Sequence, residues 1–260
     1  MLNIDKWRPR GVVRDGRSGR FGLDRSKIYG GSLYIAALQQ RMYLPVFTKH
    51  LSGSLLDIGC GPVPYFEVYR SMVTENICVD YPGSVHGLAH LDHLVDMNES
   101  DHLPFQDDRF DSVLATDMIA HMQRPDAFIK EVARVLRPGG KAIITSSFVN
   151  WMGEYPNEYF HPSGPGLRYL AQSASLEVLY LESYGGHVDV FMDTLNKFMH
   201  SGIRNRLFLL LARLVEFTGW PERNRRTTKD QYALGNVMVV RKPGPHDPSG
   251  DDRPPSALRE

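Results

Sequence analysis

The sequence has few cysteines, no long apolar run and no excess of charge of either sign. Its two cysteines, Cys60 and Cys78, cannot form a zinc cluster with each other, and neither belongs to a CxxC pair. A reducing compartment, the cytoplasm, is the simplest prediction for so cysteine-poor a chain. Lysine plus arginine and aspartate plus glutamate number 30 each among 260 residues, so no global field attracts nucleic acid or an anionic membrane.

Segments typical of secretion or membrane insertion are also missing. The arginine-rich N-terminus lacks the apolar h-region of a signal peptide. The longest apolar run, Leu207 to Ala212, is too short to span a bilayer. We therefore expect a soluble cytoplasmic protein with neither a nucleic-acid partner nor a membrane partner.

Short apolar runs alternate with helical patterns through the middle of the chain, which indicates an α/β fold. These runs lack in/out alternation, as expected of strands buried on both faces of a parallel sheet. Strands are predicted at 54–58, 77–79, 112–116, 141–145, 176–181 and 237–241. Helices are predicted at 32–50 (bent or broken near Pro45), 125–136, 166–173, 189–200 and 203–217. The helix at 125–136 has Pro125 in its first turn and ends before Pro138-Gly139-Gly140.

A glycine-rich segment follows the first of these strands. Asp57 lies at the end of the strand, and Gly59 and Gly61 would permit a tight turn and a close approach of backbone N–H groups to a ligand. Open α/β sheets bind ligands at this edge. The next strand ends in Asp80, whose carboxylate can accept hydrogen bonds from a ribose diol. A NAD-binding fold has an acid at a similar distance, but its GxGxxG fingerprint requires glycine where Pro64 stands.

Five motifs, in order, resemble those of the class I S-adenosylmethionine (SAM)-dependent methyltransferases, in particular the type 11 subfamily. They are DIGCGPV, VDYPG, LVDMNESDHLPF, FDSVLATDMIAHM and EVARVLRPGGKAIITSSF. The resemblance runs from about Leu55 to Phe148. It implies a Rossmann-like, mostly parallel seven-stranded sheet with an antiparallel last strand and helices on both faces. One departure is Val63, which stands where the first motif often has a third glycine.

The resemblance also implies a SAM-dependent enzyme (product S-adenosylhomocysteine) and assigns its cofactor residues. These are Asp57, Gly59 and Gly61 around the amino-acid end of SAM, Asp80 at its ribose, Asp96 and Met97 about its adenine, and Cys60, Tyr81 and Thr116 beside them. A plain core position is an equally good interpretation of Met97. Cys60 is interpreted as filling space, and an indirect role for Asp57, by ordering the loop or through water, is an alternative to direct contact.

Three histidines follow strands whose carboxyl ends would face the methyl group: His121, His161 and His187. A hydroxyl acceptor must lose its proton, and a positioned base can accelerate that step by roughly 10²–10⁴. Asp189, close to His187, could orient that ring. For each histidine alone, a packing or surface role is the competing interpretation.

Four aromatic residues after the fifth predicted strand could form a wall of the acceptor site; they are Trp151, Tyr155, Tyr159 and Phe160. Such a wall would suit a sugar or an aromatic acceptor. The competing interpretation is that these rings simply cover the sheet edge.

We therefore predict O-methylation of a small molecule, such as a sugar or a glycosylated natural product, with a histidine base. Open alternatives are C- or N-methylation of a lipid, quinone or amine, and a SAM-fold protein that binds a partner without catalysis. Use of decarboxylated SAM is a third. The sequence offers no convincing set of metal ligands, although a divalent metal with Asp117 as a ligand stays an alternative.

The predicted domain organisation has three parts: a flexible basic arm over 1–30, a methyltransferase domain over 31–243 and a disordered tail over 244–260. Within the domain, 149–225 would supply acceptor-side elements and a lid or dimer contacts. In the helix predicted at 203–217, apolar residues recur on one face; they are Ile203, Leu207, Leu210, Leu211, Leu214 and Phe217. We expect most of this stripe in the core, and an exposed remainder could bind a second subunit.

Overall fold

The computed structural model describes residues 1–9, 11–16, 18–100 and 102–244. Apart from Gly244, the tail predicted to be disordered lies outside the described residues. Within these ranges, no helix combines the length and the apolar character that a membrane crossing requires.

Strands and helices are interspersed from residue 53 onwards. In chain order they are β1 (Val12–Arg14), β2 (Phe21–Leu23), α1 (Leu33–His50), β3 (Gly53–Ile58), α2 (Phe66–Tyr69), β4 (Val73–Asp80), β5 (His93–Leu94), β6 (Phe110–Ala115), α3 (Pro125–Val135), β7 (Leu136–Ser147), α4 (Gly164–Ser173), β8 (Glu177–Tyr184), α5 (His187–Phe198), α6 (Gly202–Phe217), α7 (Trp220–Thr228) and β9 (Gly235–Arg241). Each strand and helix predicted from the sequence has a counterpart, whereas β1, β2, α2, β5 and α7 were not predicted.

Seven strands form one sheet in the order β5-β4-β3-β6-β7-β9-β8. The strands from β5 to β7 pair in parallel, and β9 lies antiparallel between β7 and β8. This confirms the predicted mostly parallel sheet with an antiparallel last strand. Because parallel strands end at a common edge, the residues that follow β3, β4 and β6 are brought together there.

Both faces of the sheet are covered by helices, because successive strand side chains point to opposite sides. Leu55 belongs to the core cluster that includes Phe47 of α1 and Met192 of α5. Its neighbour Leu56 belongs to the opposite cluster, with Val132 of α3. Strands buried on both faces explain why their sequences are continuous apolar runs.

Helix α1 runs unbroken from Leu33 to His50 with Pro45 inside it, so no break occurs near the proline. Tyr43, Val46 and Phe47 on either side of Pro45 are buried in the core. Their packing offsets the backbone hydrogen bond that proline cannot make.

Residues 1–30 contain more regular structure than the sequence predicts. The strands β1 and β2 pair as an antiparallel hairpin. The Trp7 ring packs edge-on against Phe66 with centroids 4.9 Å apart, and its Nε1 donates to the carbonyl of Pro62 at 3.0 Å. The Val12 N–H donates to the carbonyl of Pro64 at 2.9 Å. This segment therefore lies directly behind the glycine-rich loop.

The apolar stripe of α6, expected mostly in the core, faces outward instead. Phe208 and Ala212 on the opposite side of the helix are buried. The helix packs on α5 and α7. The expectation that most of the stripe is core is thus wrong.

Candidate cofactor and acceptor site

A cavity of about 560 Å³ opens at the carboxyl edge of the parallel strands. Its size falls within the range of roughly 300–1,000 Å³ that is usual for small-molecule sites. The residues that line it come from the segments after β3, β4, β5 and β6, and from the loop after β7; they include Gly59, Cys60, Gly61, Asp80, Tyr81, Asp96, Met97 and Thr116. Eight of the nine predicted cofactor residues therefore meet at one cavity, and Asp57 is the exception.

The turn after β3 strongly favours glycine at its first position. Gly59 has a φ of +64°, and its N–H donates to the carbonyl of Val79 at 2.8 Å. A Cβ added there would lie 2.3 Å from Sδ of Met118, which is far inside van der Waals contact. Gly61 follows with a φ of +52°. These glycines keep the floor of the cavity open at the point where a ligand would touch the backbone.

Val63 occupies the position of the family's usual third glycine and adopts a left-handed conformation, with a φ of +52°. A side chain there costs about 1–2 kcal/mol in backbone energy, and more for a β-branched residue. The Val63 side chain is fully buried in the core cluster that contains Trp7 and Phe66. Burial of a valine is worth a comparable amount, about 1.5–3 kcal/mol, so packing offsets the strain.

Asp80 orders the glycine-rich loop as well as lining the cavity. Its Oδ2 accepts from the Gly61 N–H at 3.1 Å and from Oγ of Ser84 at 2.9 Å, and its Oδ1 accepts from the Tyr81 N–H at 2.8 Å. A carboxylate has about four acceptor positions. Asp80 therefore retains capacity for a further donor on the cavity side.

Asp57 lies behind the loop. Its Oδ2 accepts from the Tyr69 hydroxyl at 2.7 Å. Its buried Oδ1 has no hydrogen-bond partner in the described part of the chain. Burial raises the pKa of Asp57 to about 7, against the lowering effect of the Tyr69 hydrogen bond. The geometry fits a role of Asp57 in ordering the loop, or a hydrogen bond to its Oδ1 from a donor outside the described residues.

On the side predicted for adenine, Asn98 joins two walls of the cavity. Its N–H donates to Oδ1 of Asp96 at 2.8 Å, and its side-chain nitrogen donates to the carbonyl of His121 at 2.9 Å. Its Oδ1 accepts from the Gln123 N–H at 2.9 Å. The sequence analysis missed Asn98, which lies inside its third motif, and Gln123, which directly follows its fourth.

His121 lines the cavity, and one nitrogen of its ring has a defined role. Nδ1 lies 2.8 Å from the carbonyl oxygen of Asn157. Because a carbonyl can only accept, Nδ1 carries the proton, and Nε2 of the neutral ring is the basic nitrogen.

The other two candidate histidines do not line the cavity. Nε2 of His161 lies 3.6 Å from Oε2 of Glu158. The His187 ring packs against the Tyr232 ring with centroids 3.9 Å apart. Asp189, the candidate partner of His187, instead accepts hydrogen bonds from the hydroxyl of Tyr34 and the guanidinium of Arg225.

Of the four aromatic residues predicted to form a wall, Tyr159 is the one that lines the cavity. Its hydroxyl accepts from Nε2 of Gln123 at 3.1 Å. The Trp151 ring stacks on the Tyr29 ring, with centroids 6.3 Å apart. Tyr155 is 80% exposed, and Phe160 is exposed as well. The cavity wall in this region is consequently more polar than the sequence predicts.

Asp117 forms the polar end of the cavity, after β6. Its Oδ1 accepts from Oγ of Ser147 at 3.2 Å and its Oδ2 from Nε2 of Gln39 at 3.4 Å. Gln39 also donates to the hydroxyl of Tyr184 at 3.1 Å, which lies 3.2 Å from the Tyr43 hydroxyl. Burial raises the pKa of Asp117. Among the described residues, no group of three or more histidine, cysteine or acidic side chains could hold a metal ion.

The loop after β7 lies over the cavity and is held at several points. The Tyr159 N–H donates to the carbonyl of Ala120 at 2.7 Å. Across the opening, Oε1 of Glu154 lies 3.8 Å from Nε2 of His86. The neighbouring His86 ring lowers the pKa of Glu154. This loop therefore contributes one wall of the cavity.

Comparison with known proteins supports the fold and the cofactor class. Residues 56–144 match the family described as a methyltransferase domain. A relative named "Probable tRNA methyltransferase 9B", from Homo sapiens, is 37% identical over 137 residues, covering 49% of this chain and 28% of its own length. The chain thus spans less than a third of that relative.

Solved structures share the fold. A SAM-dependent methyltransferase from Archaeoglobus fulgidus superposes with a TM-score of 0.53 at 16% identity, covering 80% of this chain and 93% of that one. The [4+2]-cyclase SpnF superposes with a TM-score of 0.51 at 22% identity, covering 78% and 81%. At such identities the likeness concerns the fold alone.

Proposed function

Residues 56–144 lie in a class I SAM-dependent methyltransferase domain, and on this premise we propose that the chain transfers a methyl group from SAM to a hydroxyl oxygen of a small polar molecule, such as a sugar or a glycosylated metabolite. The observation that carries the proposal is His121. It lies in the wall of the cavity, and Nδ1 faces the Asn157 carbonyl at 2.8 Å, which leaves Nε2 as a base.

The residues of the cavity fit SAM. Gly59 leaves open the space that a Cβ would fill, and Asp80 retains capacity for a further donor. We assign Asp57, Gly59 and Gly61 to the amino-acid end, Asp80 to the ribose hydroxyls, and Asp96 and Met97 to the adenine, with Cys60, Tyr81 and Thr116 completing the wall. When bound, SAM supplies an electrophilic methyl group. The chain supplies alignment and the exclusion of water.

His121 would remove the proton of the acceptor hydroxyl through Nε2. The hydrogen bond from Nδ1 to Asn157 fixes both the tautomer and the orientation of the ring. Asp117 lies near enough for a protonated His121 to lower the pKa of its carboxyl, against the raising effect of burial. A histidine base contributes roughly 10²–10⁴ to the rate.

The polar lining favours a hydroxylated acceptor. Around His121 lie the side chains of Gln123, Glu154, Asn157 and Tyr159, each with a group that can donate or accept a hydrogen bond. A site built from such groups selects ligands that satisfy them, because polar groups that a ligand covers without pairing are costly. This supports a sugar-like acceptor more than a long apolar one.

The proposal is tested in two steps. Calorimetric titration with SAM and S-adenosylhomocysteine, with NAD as control, should show binding of the first two alone. Methyl transfer to a panel of glycosides and phenols is then compared in His121→Gln, His161→Gln and His187→Gln. We expect His121→Gln to lower kcat by about 10²–10⁴ while the Kd for SAM stays unchanged. The same substitution at His187, outside the cavity, is the matched control.

The alternatives have distinct outcomes. Full turnover in His121→Gln with loss in His161→Gln would move the base to His161. Turnover on a carbon or nitrogen acceptor, unaffected by either change, would favour C- or N-methylation. SAM binding without any transfer would favour a non-catalytic role; one neighbour of this fold is named a cyclase. Transfer to unmodified tRNA alone would point to the chemistry in the human relative's name.

A further inference from the structure

Helix α6 exposes a continuous apolar stripe. The side chains are between 44% and 93% exposed; they are Ile203, Leu207, Leu210, Leu211, Leu214 and Phe217. The helix has 16 residues and is therefore about 24 Å long. Single exposed leucines are ordinary, but a contiguous apolar strip of this length marks an interaction surface.

Arginines border the stripe on both sides. At about 100° per residue, the six apolar side chains fall within an arc of about 120° around the α6 axis. Arg204 lies about 20° beyond one edge of this arc, and Arg206 and Arg213 lie about 20–40° beyond the other. All three arginines are exposed. An apolar strip between two cationic borders is typical of helices that lie in the plane of a membrane interface.

The surroundings of α6 extend both the apolar and the cationic character. Phe198, at the end of α5, is 74% exposed, and Trp220, at the start of α7, is 55% exposed. Residues 198–226 contain six arginines and two glutamates, whereas the whole chain carries no net charge. Arg225 binds one of these glutamates, Glu216, and Arg226 binds the other. The local field is therefore positive.

We propose that this face docks on the surface of an anionic membrane, with α6 parallel to the bilayer plane. The apolar stripe would lie among the acyl chains, and Arg204, Arg206 and Arg213 would reach the lipid phosphates. Such a helix binds the interface without crossing the bilayer. The proposal concerns location on a membrane and holds whichever acceptor the cavity takes.

Charge favours lipid over a second copy of the chain. A two-fold interface formed by α6 would bring a second set of the same arginines to the same seam. Anionic headgroups would neutralise them instead. Nucleic acid would also pair with the arginines, but phosphate contacts alone leave the six apolar side chains without a role. The proposal departs from the expectation that a membrane plays no part.

The experiment is flotation of the purified chain with vesicles of phosphatidylcholine containing phosphatidylserine, and with vesicles of phosphatidylcholine alone. We expect binding to the anionic vesicles and a loss of binding at high salt. The triple variant Leu207→Gln, Leu210→Gln and Leu214→Gln should bind at least about tenfold more weakly, since three apolar side chains are removed from the interface.

A matched triple variant changes three exposed apolar residues on other elements: Leu94→Gln, Tyr169→Gln and Leu179→Gln. It should bind vesicles as the wild type does. A second variant, Arg204→Gln, Arg206→Gln and Arg213→Gln, should lose the preference for phosphatidylserine. Unchanged far-UV circular dichroism and melting temperature establish that each variant is folded.

Three results would overturn the proposal. One is the absence of wild-type binding to the anionic vesicles. Another is a wild-type dimer in sedimentation velocity that the leucine variant abolishes, which would make a second copy the occupant. The third is vesicle binding that survives the leucine variant while RNA binding disappears in the arginine variant, which would assign the face to nucleic acid.

Discussion

The buried carboxyl group of Asp57 should make the stability of the protein depend on pH in an unusual direction. Its pKa is raised from 3.8 to about 7, chiefly by burial. The folded state therefore binds this proton more tightly than the unfolded state, so stability falls as pH rises between these two values and stays lower above them. At 1.36 kcal/mol per pKa unit, the loss between pH 5 and pH 8 is about 2–3 kcal/mol.

Asp57→Asn removes this titration and keeps an oxygen that can accept from the Tyr69 hydroxyl. The assay is urea denaturation of the wild type and the variant at pH 5 and pH 8. The difference in unfolding free energy, variant minus wild type, should rise by about 2–3 kcal/mol over this interval, because contributions from other groups cancel. Asp230→Asn, at an exposed position, controls for the loss of one charge. Equal pH dependence in the wild type and Asp57→Asn would refute the reasoning.

Two further predictions concern the loop. Gly59→Ala should lower both the melting temperature and the affinity for SAM, because the new Cβ lies 2.3 Å from Sδ of Met118. Gly87→Ala is the control, since Gly87 has a φ of +91° and open space around it. It should show only the backbone cost of about 1–2 kcal/mol. Equal effects of the two changes would contradict the clash. Asp80→Ala should weaken SAM binding by more than about 1.5 kcal/mol in calorimetry, since a charged acceptor is lost. Wild-type affinity in that variant would overturn the assignment of the ribose site.

The sheet and the cofactor side of the site could be predicted because their signals are local. A strand buried on both faces has to be a short apolar run, as at β3 and β6. A turn that needs positive φ favours glycine, as at Gly59. Asp80, the acid at the end of the next strand, lies beside this turn because neighbouring parallel strands end at the same edge of the sheet. Each inference needs only a few neighbouring residues.

The acceptor side could not be predicted in the same way, because it depends on how a long loop folds back. The sequence places Tyr155 and Tyr159 in one aromatic stretch, yet one is exposed and the other lines the cavity. The decisive contact is the one between Tyr159 and Ala120, 39 residues earlier in the chain. Similarly, nothing local distinguishes His121 from His187.

Helix α6 shows a different limit of prediction from the sequence. Its apolar residues extend almost round the helix: Phe208 and Ala212 are buried, Leu209 and Val215 are partly buried, and the stripe from Ile203 to Phe217 is exposed. Periodicity identifies the helix, but it does not choose between two apolar faces. The neighbouring helices α5 and α7 make that choice.

The position of β9 has a consequence for the order in which the chain folds during synthesis. β9 pairs with β7 on one side and with β8 on the other, so β8 reaches the sheet only through a strand made some fifty residues after it. The five strands from β5 to β7 can assemble on the ribosome, leaving the outer edge of β7 open. Until β9 emerges, that edge is a template for pairing with other chains. The nascent protein is thus most prone to aggregate just before its last strand is complete.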